Sequence, residues 1–279
     1  MITLDKKDIF DYSPCELSSN WRIKDFGDNL YQRLERRIII DVPFSNRTII
    51  SYGLIVYSND TRRWLLVQRK HTVEFLLIMK GMYRFSQLPF LVNSITKKEA
   101  EIVERCIKDS FNYFNHVYSE LKLHHETRNY SYTRLMESKN IILSLLSRAD
   151  LSKNKLSWTW PKGLINSLKD KETPFQCAKR EFYEEVEVAL PDPVFISQTF
   201  IRHTTKTIYG KNIESRYWVY VIDHEIPLTK PVNHLEVADR QWFDTNTCRS
   251  LLQHDDLFNE VVEIVKKNGY DPFCNSCSM

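Results

Sequence analysis

Three glutamates, Glu181, Glu184 and Glu185, stand close together in the segment KREFYEEVEV at residues 179–188. In a helix their spacing would place the carboxylates on one face, where they repel one another. They would also lie in the second half of that helix, where the helix dipole disfavours negative charge. A divalent cation that prefers oxygen ligands, Mg²⁺ or Mn²⁺, reverses this cost. Because such a cation can polarise a pyrophosphate for attack by water, the pattern favours hydrolytic phosphate chemistry over a solvated acidic surface.

The helix that would carry these glutamates is predicted to begin after Thr173 and to end near Glu187. Thr173 and Gln176 form an N-terminal capping box, and Pro174 occupies the first helical position. One narrow stripe of this helix is apolar and is expected to face the core: Phe175, Ala178, Phe182 and Val186. The glutamates lie on a different sector, which leaves them available to a ligand.

Taken together, these residues resemble the Nudix box. The pattern runs from Gly163 through Glu172 and Arg180 to Val188, and its Arg-Glu-x-x-Glu-Glu centre is intact. It departs from the usual pattern in two ways. The loop after Gly163 is three residues longer, and Glu187 stands where the family has a glycine. The first departure puts the role of Glu172 in question, and the second leaves open how the helix ends.

The resemblance implies a Nudix hydrolase in which Glu181, Glu184 and Glu185 bind Mg²⁺ or Mn²⁺, with the carbonyl of Gly163 as a further ligand. Glu181 and Glu185 are implied to act in catalysis. Arg180 would orient a glutamate of the box by ion pairing rather than touch the substrate. All three box glutamates are present, which argues against a catalytically inactive Nudix domain used for RNA binding or assembly.

Two segments outside the box resemble those of the mRNA-decapping Nudix hydrolases of large cytoplasmic DNA viruses, the poxvirus and asfarvirus group. WPKG, at residues 160–163, precedes the box, and HLEVADRQWF, at 234–243, is similar to the segment that supplies their late glutamate. The resemblance implies that Glu236 is an extra catalytic carboxylate, either a metal ligand or a general base. It places Lys162 beside the substrate phosphates. Nearby carboxylates that could substitute for the late glutamate are Asp223, Glu225 and Asp239.

The implied reaction cleaves the triphosphate bridge of the 5′ cap by metal-activated water, which releases 7-methylguanosine diphosphate and 5′-monophosphate RNA. A diphosphoinositol polyphosphate or dinucleotide pyrophosphohydrolase is the alternative. The cationic methylated guanine favours aromatic stacking, for which the chain offers Phe75, Tyr83, Phe85, Trp158, Tyr209 and Tyr217, each of which is otherwise a core residue. Since the chemistry needs hard oxygen ligands, we disfavour as ligands or bases the histidines His203, His234 and His254.

Strand-like runs on both sides of a helical block indicate a discontinuous domain that carries an insertion. The resemblance implies an α+β fold for that domain, an α/β/α sandwich with a mixed sheet, interrupted by an all-helical insertion. We therefore predict three parts of the chain: an N-terminal segment, 1–36, that packs on the core or the insertion; a catalytic domain, 37–72 and 151–279; and a helical insertion, 73–150.

Periodicity and turn signals predict the individual elements. Strands are expected at 36–42, 48–58, 63–69, 155–163, 194–202, 215–222 and 240–243, with a hairpin turn at 59–62. In the insertion, Thr96 and Glu99 form a capping box ahead of one helix, and residues 132–150 are predicted to form one further helix. A closing helix is predicted at 256–269, with Gly269 past its end.

The insertion is predicted to bind the RNA body of capped mRNA through a basic surface. Four residues of the helix after Thr96 lie away from its apolar stripe: Lys97, Lys98, Arg105 and Lys108. An electrostatic surface of this kind loses affinity as salt rises. An ordinary solvated helix face is an equally good interpretation of the same four residues.

Composition sets limits on these expectations. The 279 residues are 42% hydrophobic and 27% charged, which suffices for a sizeable core, and the net charge of +3 does not by itself indicate nucleic-acid binding. Six scattered cysteines, no signal-peptide pattern and no membrane-length apolar run predict a reduced intracellular location, here the host cytoplasm. Cys274 and Cys277 alone are too few for a zinc site. The sequence leaves the oligomeric state open.

Overall fold

The structure is a computed structural model that describes residues 48–165, 172–206, 212–229, 232, 236–252 and 255–273. Outside the described residues lie the predicted N-terminal segment, the strand expected at 36–42, and Tyr209, His234, His254, Cys274 and Cys277. The chain divides into two compact units. The helical unit is His71–Leu156, and the sheet unit consists of the described residues of 48–70, 157–206 and 212–273.

In its described residues the sheet unit has eight strands that form one mixed sheet: β1 (Ile49–Ser58), β2 (Arg63–Arg69), β3 (Trp158–Thr159), β4 (Lys162–Leu164), β5 (Phe195–Ile196), β6 (Ile201–Lys206), β7 (Asn212–Ile222) and β8 (Val237–Asp244). The order across the sheet is β3-β2-β1-β7-β5, and β4, β6 and β8 pair with β1, β7 and β2 respectively. β1 and β7 are parallel over ten residue pairs. The other pairs are antiparallel, including the predicted β1–β2 hairpin.

Two predicted strands are each divided in two. The run at 155–163 forms β3 and β4, because Pro161 between them has no backbone N–H to give to a ladder. The run at 194–202 forms β5 and β6. Between them the hydroxyl of Ser197 accepts a hydrogen bond of 3.1 Å from the amide of Val219, so a side chain takes the place of a ladder acceptor.

Helices cover both faces of the sheet: α7 (Pro174–Val186), α8 (Thr245–Leu251) and α9 (Asp255–Lys267). Alternate residues of a strand point to opposite faces, so Leu54 packs towards Phe182 of α7 and Ile55 packs towards Val261 of α9. The predicted α+β sandwich with a mixed sheet is confirmed. The closing helix ends as predicted, with Gly269 at a φ of 87°.

The helical unit has six α-helices in its described residues: α1 (Val73–Met79), α2 (Leu88–Ser94), α3 (Lys97–Lys108), α4 (Phe111–Glu120), α5 (Arg128–Glu137) and α6 (Lys139–Leu146). These helices enclose a core of their own. The single helix predicted at 132–150 is wrong, because the chain breaks at Ser138. The Ser138 hydroxyl donates to the carbonyl of Arg134 and lies 2.7 Å from the hydroxyl of Tyr83, so local and distant hydrogen bonds compete with a continuous helix.

None of the helices in the described ranges combines the length and apolar character that a membrane span requires.

One buried carboxylate, that of Glu99, joins the N-termini of two helices in the helical unit. It closes the predicted capping box of α3 by accepting the amide of Thr96 at 2.9 Å. It also accepts the amide and the hydroxyl of Thr72, the N-cap of α1, at 2.7 and 3.0 Å. Glu99 is only 3% exposed, so these donors satisfy a charge that burial would otherwise penalise.

We predict that Glu99→Ala lowers the free energy of unfolding by about 2–3 kcal/mol, because several buried donors at two helix N-termini lose their acceptor. Urea unfolding followed by circular dichroism measures the change. Glu101→Ala, at an exposed position of the same helix, is the matched control and should change the stability by less than about 0.5 kcal/mol. Equal stability of the two variants would show that the Glu99 contacts contribute nothing.

The same carboxylate should make the unit acid-sensitive. Burial opposes its ionisation, but hydrogen bonds from His71, Thr96 and Thr72 outweigh burial and lower the pKa of Glu99 from its ordinary 4.5. A lowered pKa stabilises the fold above the unfolded pKa, and this stability is lost as pH falls through the folded pKa. Thermal unfolding between about pH 5 and pH 3 should therefore show a steeper loss in the native chain than in Glu99→Gln. Parallel losses would contradict the assignment.

Candidate active site

Gly163 brings β4 against the helix that carries the box glutamates. It pairs with Tyr52 of β1, and the carboxyl group of Glu181 on α7 lies directly against its Cα. A Cβ at this position would overlap the Glu181 carboxyl group. Glycine is required here so that strand and carboxylate can approach so closely.

Arg180 is the centre of an ion-pair network on the exposed side of α7. Its Nε and Nη2 donate to the two carboxylate oxygens of Glu172 at 2.7 and 3.2 Å. Its Nη1 donates to Glu181 at 2.6 Å and to Glu184 at 2.9 Å, and Nη2 reaches the carbonyl of Leu164 at 2.9 Å. Glu172 therefore contacts the box arginine despite the longer loop. Arg180 forms its ion pairs with glutamates, as expected from the sequence.

Glu185 is the most buried of the box glutamates, with 9% exposure. Its Oε2 accepts a hydrogen bond of 3.1 Å from the backbone amide of Lys162. Burial first, and then the charges of Glu181 and Glu236, raise the pKa of Glu185 to about 8 against the opposing effects of the Lys162 amide and Arg69. Arg69 lies at the end of β2, far from the box in sequence, and no sequence signal connects it with this carboxylate.

The pKa of Glu181 is also raised, by burial and by the charges of Glu184 and Glu236, against the lowering effect of Arg180. Glu236 therefore lies close enough to repel two box glutamates. It is exposed, stands just ahead of β8, and its carbonyl accepts the amide of Lys70 at 2.7 Å. The structure thus brings the late glutamate of the sequence to the box.

The suggested substitutes for Glu236 lie in other surroundings. Glu225 is 3.7 Å from Arg63. The carbonyl of Asp223 accepts the amide of Asp60, and a carboxylate oxygen of Asp239 accepts the amide of Arg240.

The donor chemistry of this site fits a hard divalent cation. Glu181, Glu184, Glu185 and Glu236 offer carboxylate oxygens, and a cation would relieve both the burial and the mutual repulsion that raise the pKa values of Glu181 and Glu185. Within the described ranges, no group of three or more His, Cys, Asp or Glu side chains is gathered as a metal cluster. Arg180 contacts two of the glutamates, and the Lys162 amide contacts a third.

The side chain of Lys162, predicted at the substrate phosphates, is engaged with β7. Its Nζ donates to the buried hydroxyl of Ser215 at 2.8 Å and lies 5.7 Å from the ring centre of Tyr217. The hydroxyl of Ser51 donates to the same Ser215 oxygen at 3.0 Å. Because successive strand residues alternate, this side chain and the Gly163–Glu181 contact lie on opposite faces of the sheet.

Most of the aromatic residues considered for cap stacking are core residues. Phe75, Tyr83 and Phe85 are buried within the helical unit, which confirms their interpretation as core. Tyr217 is buried in the sheet unit, and half-buried Trp158 packs edge-on against Phe243. His203 is half-buried on β6.

The four basic residues predicted to bind RNA lie on α3 of the helical unit. Lys97 and Lys98 are exposed at its start. Arg105 pairs with Asp109 at 3.3 Å, and its guanidinium lies 4.2 Å from the ring centre of Tyr113. Lys108 pairs with Glu104 at 2.5 Å. Exposed pairs of this kind are worth less than about 1 kcal/mol each, so they do not prevent the basic groups from binding a ligand.

Glu187, in place of the family's glycine, ends α7 in the left-handed conformation that glycine normally adopts there, with a φ of 55°. Its Oε2 lies 3.6 Å from Nη1 of Arg240 on β8, whose side chain is 2% exposed. The sequence indicated that the glycine was missing but could not identify the buried arginine that the glutamate faces. The carboxylate offers charge compensation that a glycine cannot.

We therefore predict that Glu187→Gly is destabilising by about 1–2 kcal/mol, although it relieves left-handed strain of about 1 kcal/mol. Lys122→Gly is the matched control. Lys122 is exposed and also left-handed, with a φ of 48°, so glycine should leave the stability unchanged or raise it. Thermal unfolding of both variants checks this, and a Glu187→Gly variant as stable as the native chain would remove any contribution from the Arg240 contact.

Comparison with known proteins agrees with the box. Residues 133–261 match the sequence profile of the NUDIX domain, a range that includes α7 and Glu236. No curated protein sequence matches the chain significantly.

Several solved structures are similar to the chain. A C. elegans Ap4A hydrolase binary complex has 12% identity over 79% of this chain and 99% of that one, with a TM-score of 0.41. An E. coli dihydroneopterin triphosphate pyrophosphohydrolase has 12% identity over 79% and 99%, with a TM-score of 0.38. The NUDIX domain of Shewanella oneidensis NrtR complexed with ADP ribose has 10% identity over 80% and 89%, also with a TM-score of 0.38. At these values the likenesses do not bear on the substrate.

The domain match covers the helix, the glutamates and the β8 strand that make up the site described above. The region that holds the site therefore matches a Nudix domain.

Proposed function

We propose that the chain is a metal-dependent Nudix pyrophosphohydrolase that removes the 5′ cap of mRNA. Attack of water on the triphosphate bridge would release 7-methylguanosine diphosphate and 5′-monophosphate RNA. The observation that carries the hydrolase assignment is the position of Glu181 against Gly163, with Glu185 of the same helix held by the backbone amide of Lys162. The cap as substrate is supported by the segments WPKG and HLEVADRQWF.

Glu181, Glu184, Glu185 and Glu236 would hold Mg²⁺ or Mn²⁺, with the carbonyl of Gly163 as a further ligand. When bound, the cation supplies positive charge that polarises the phosphate bridge and makes water more acidic.

The chain's own groups then have separate tasks. Glu236, exposed and beside the box glutamates, would accept a proton from the attacking water. Arg180 would keep Glu181 and Glu184 in place through its two ion pairs. Lys162 would contribute through its backbone amide, which fixes Glu185.

The helical unit is proposed to bind the RNA body. Lys97 and Lys98 at the start of α3, together with Arg105 and Lys108 further along it, offer positive charge on an exposed helix face. Phosphate contacts of this kind are independent of sequence, which suits an enzyme that accepts many mRNAs. We further infer that the protein is viral and acts in the host cytoplasm, where removal of caps would shut off host messages.

The alternative substrate is a diphosphoinositol polyphosphate or a dinucleotide. The same carboxylates would serve these substrates, and the lysines of α3 would attract any polyanion. An assay with capped RNA separates the two substrate classes.

We predict that the native chain releases labelled 7-methylguanosine diphosphate from cap-labelled RNA with Mg²⁺ or Mn²⁺, and that Glu185→Gln slows release by about 10²- to 10⁴-fold. The substitution removes a negative charge from the proposed cation site while its shape is retained. Titration with Mn²⁺, followed by electron paramagnetic resonance, should show weaker binding by the same variant. Glu260→Gln makes the same chemical change at an exposed position of α9 and should alter neither measurement.

An unchanged rate in Glu185→Gln would exclude this glutamate from the site. If the native chain leaves capped RNA intact but cleaves inositol pyrophosphates or dinucleotides, the alternative substrate class replaces the cap.

A further inference from the structure

A row of directly paired residues crosses four strands of the sheet unit and ends at the box glycine. Arg202 of β6 pairs with Arg216 of β7, Arg216 pairs with Tyr52 of β1, and Tyr52 pairs with Gly163 of β4. Directly paired residues project from the same face of a sheet. Here it is the face that α7 covers, because Tyr52 packs with the residues of that helix. The row therefore runs from an exposed arginine to the contact between Gly163 and Glu181.

Rings and guanidinium groups alternate along this row. The Arg216 guanidinium lies 5.7 Å from the ring centre of Tyr52 and 4.9 Å from that of Phe200. The Arg202 guanidinium also lies over Phe200, 5.2 Å from its ring centre. Trp218 packs against Phe200 in a T-shaped contact, with ring centres 5.5 Å apart. These distances are those of cation–π contacts, which orient the guanidinium groups along the rings.

The direct pairing of Arg202 with Arg216 is electrostatically unfavourable and is not needed to form the sheet. Like charges directly opposite each other on neighbouring strands destabilise the pair. Glu214 lies 2.5 Å from Nε of Arg216 and compensates one of the two charges. The pair as a whole keeps a positive charge, and Arg202 presents it at the surface. A bound anion would offset the repulsion.

We propose that this row, which we call the arginine row (Arg202, Arg216, Phe200 and Tyr52), binds the first nucleotides of single-stranded RNA next to the scissile bridge. The guanidinium groups would contact phosphates, and a base would stack on the Phe200–Arg202 layer. Three strand spacings separate Arg202 from Gly163, about 14 Å. A strand whose triphosphate bridge lies at the glutamates would thus continue onto the row. This inference rests on the proposed function.

The combination of groups favours a nucleotide chain over a compact polyphosphate. An inositol polyphosphate needs cationic groups but has no aromatic face to stack. Alternating arginine and aromatic side chains are instead typical of surfaces that bind single-stranded nucleic acid with little sequence preference.

The test measures binding of uncapped, fluorescently labelled 5′-monophosphate RNA by anisotropy at several salt concentrations. Arg202→Ala should weaken binding about 10-fold and lower the salt slope by about one. Arg202→Lys should keep most of the salt slope but bind more weakly than the native chain, because lysine lacks the planar group. Arg202 is exposed, so these variants are expected to fold.

Arg63→Ala is the matched control. Arg63 is an exposed arginine on β2 that pairs with Ser58, six residues along β1 from Tyr52 and thus about 20 Å away. Its removal takes the same charge from the same sheet and should change the affinity less than about twofold.

Equal RNA affinity and salt slope in Arg202→Ala and the native chain would overturn the proposal, whatever the result with capped RNA. Weaker RNA binding by Arg202→Ala together with no cap hydrolysis by the native chain would retain the arginine row and reject the cap. If Arg202→Ala impairs hydrolysis of inositol pyrophosphates but leaves RNA binding unchanged, the row is a polyphosphate site and the RNA assignment is wrong.

Discussion

Repulsion among carboxylates at one point of the sheet is the constraint on which the rest of the sheet unit depends. Burial and neighbouring negative charges raise the pKa values of Glu181 and Glu185, so the fold holds these groups together against their preference. One arginine, Arg180, offsets part of the repulsion by contacting Glu181 and Glu184. A structure that served stability alone would spread these charges. Their concentration on the helix most tightly packed against β4 is the strongest physical argument for a cation-binding function.

Two of the chain's six glycines allow close approaches around β4. At Gly163 a Cβ would overlap the Glu181 carboxyl group, and at Gly53 it would overlap the carbonyl of Pro161. The two glycines occupy neighbouring positions in the β1–β4 pairing, where Gly53 faces Lys162 and Gly163 faces Tyr52. The site is therefore built from backbone proximity as much as from side chains. A substitution at Gly163 would displace the Glu181 carboxyl group even though glycine carries no functional group.

Elements with local signals were predicted well, and those with distant partners were not. The capping boxes at Thr96 and Thr173 and the β1–β2 hairpin depend on residues within a few positions of one another, and the structure confirms them. The break at Ser138 depends on Tyr83, which is 55 positions away. The break after β5 depends on a hydrogen bond to β7. Periodicity within a window carries no information on such contacts, so both segments were predicted as continuous.

The same limit applies to the site. The box glutamates were found because the motif is contiguous, whereas the row that leads to them depends on the parallel pairing of β1 with β7, whose residues are 164 positions apart. In the sequence, Arg202 and Arg216 are two ordinary charges on separate strands. Only the register places them opposite each other and in line with Tyr52 and Gly163.

The basic helix α3 was identified from its sequence alone, yet its arginine and one of its lysines are paired with neighbouring acids. On the sheet, by contrast, strand pairing brings the positive charges of Arg202 and Arg216 into one row with Gly163.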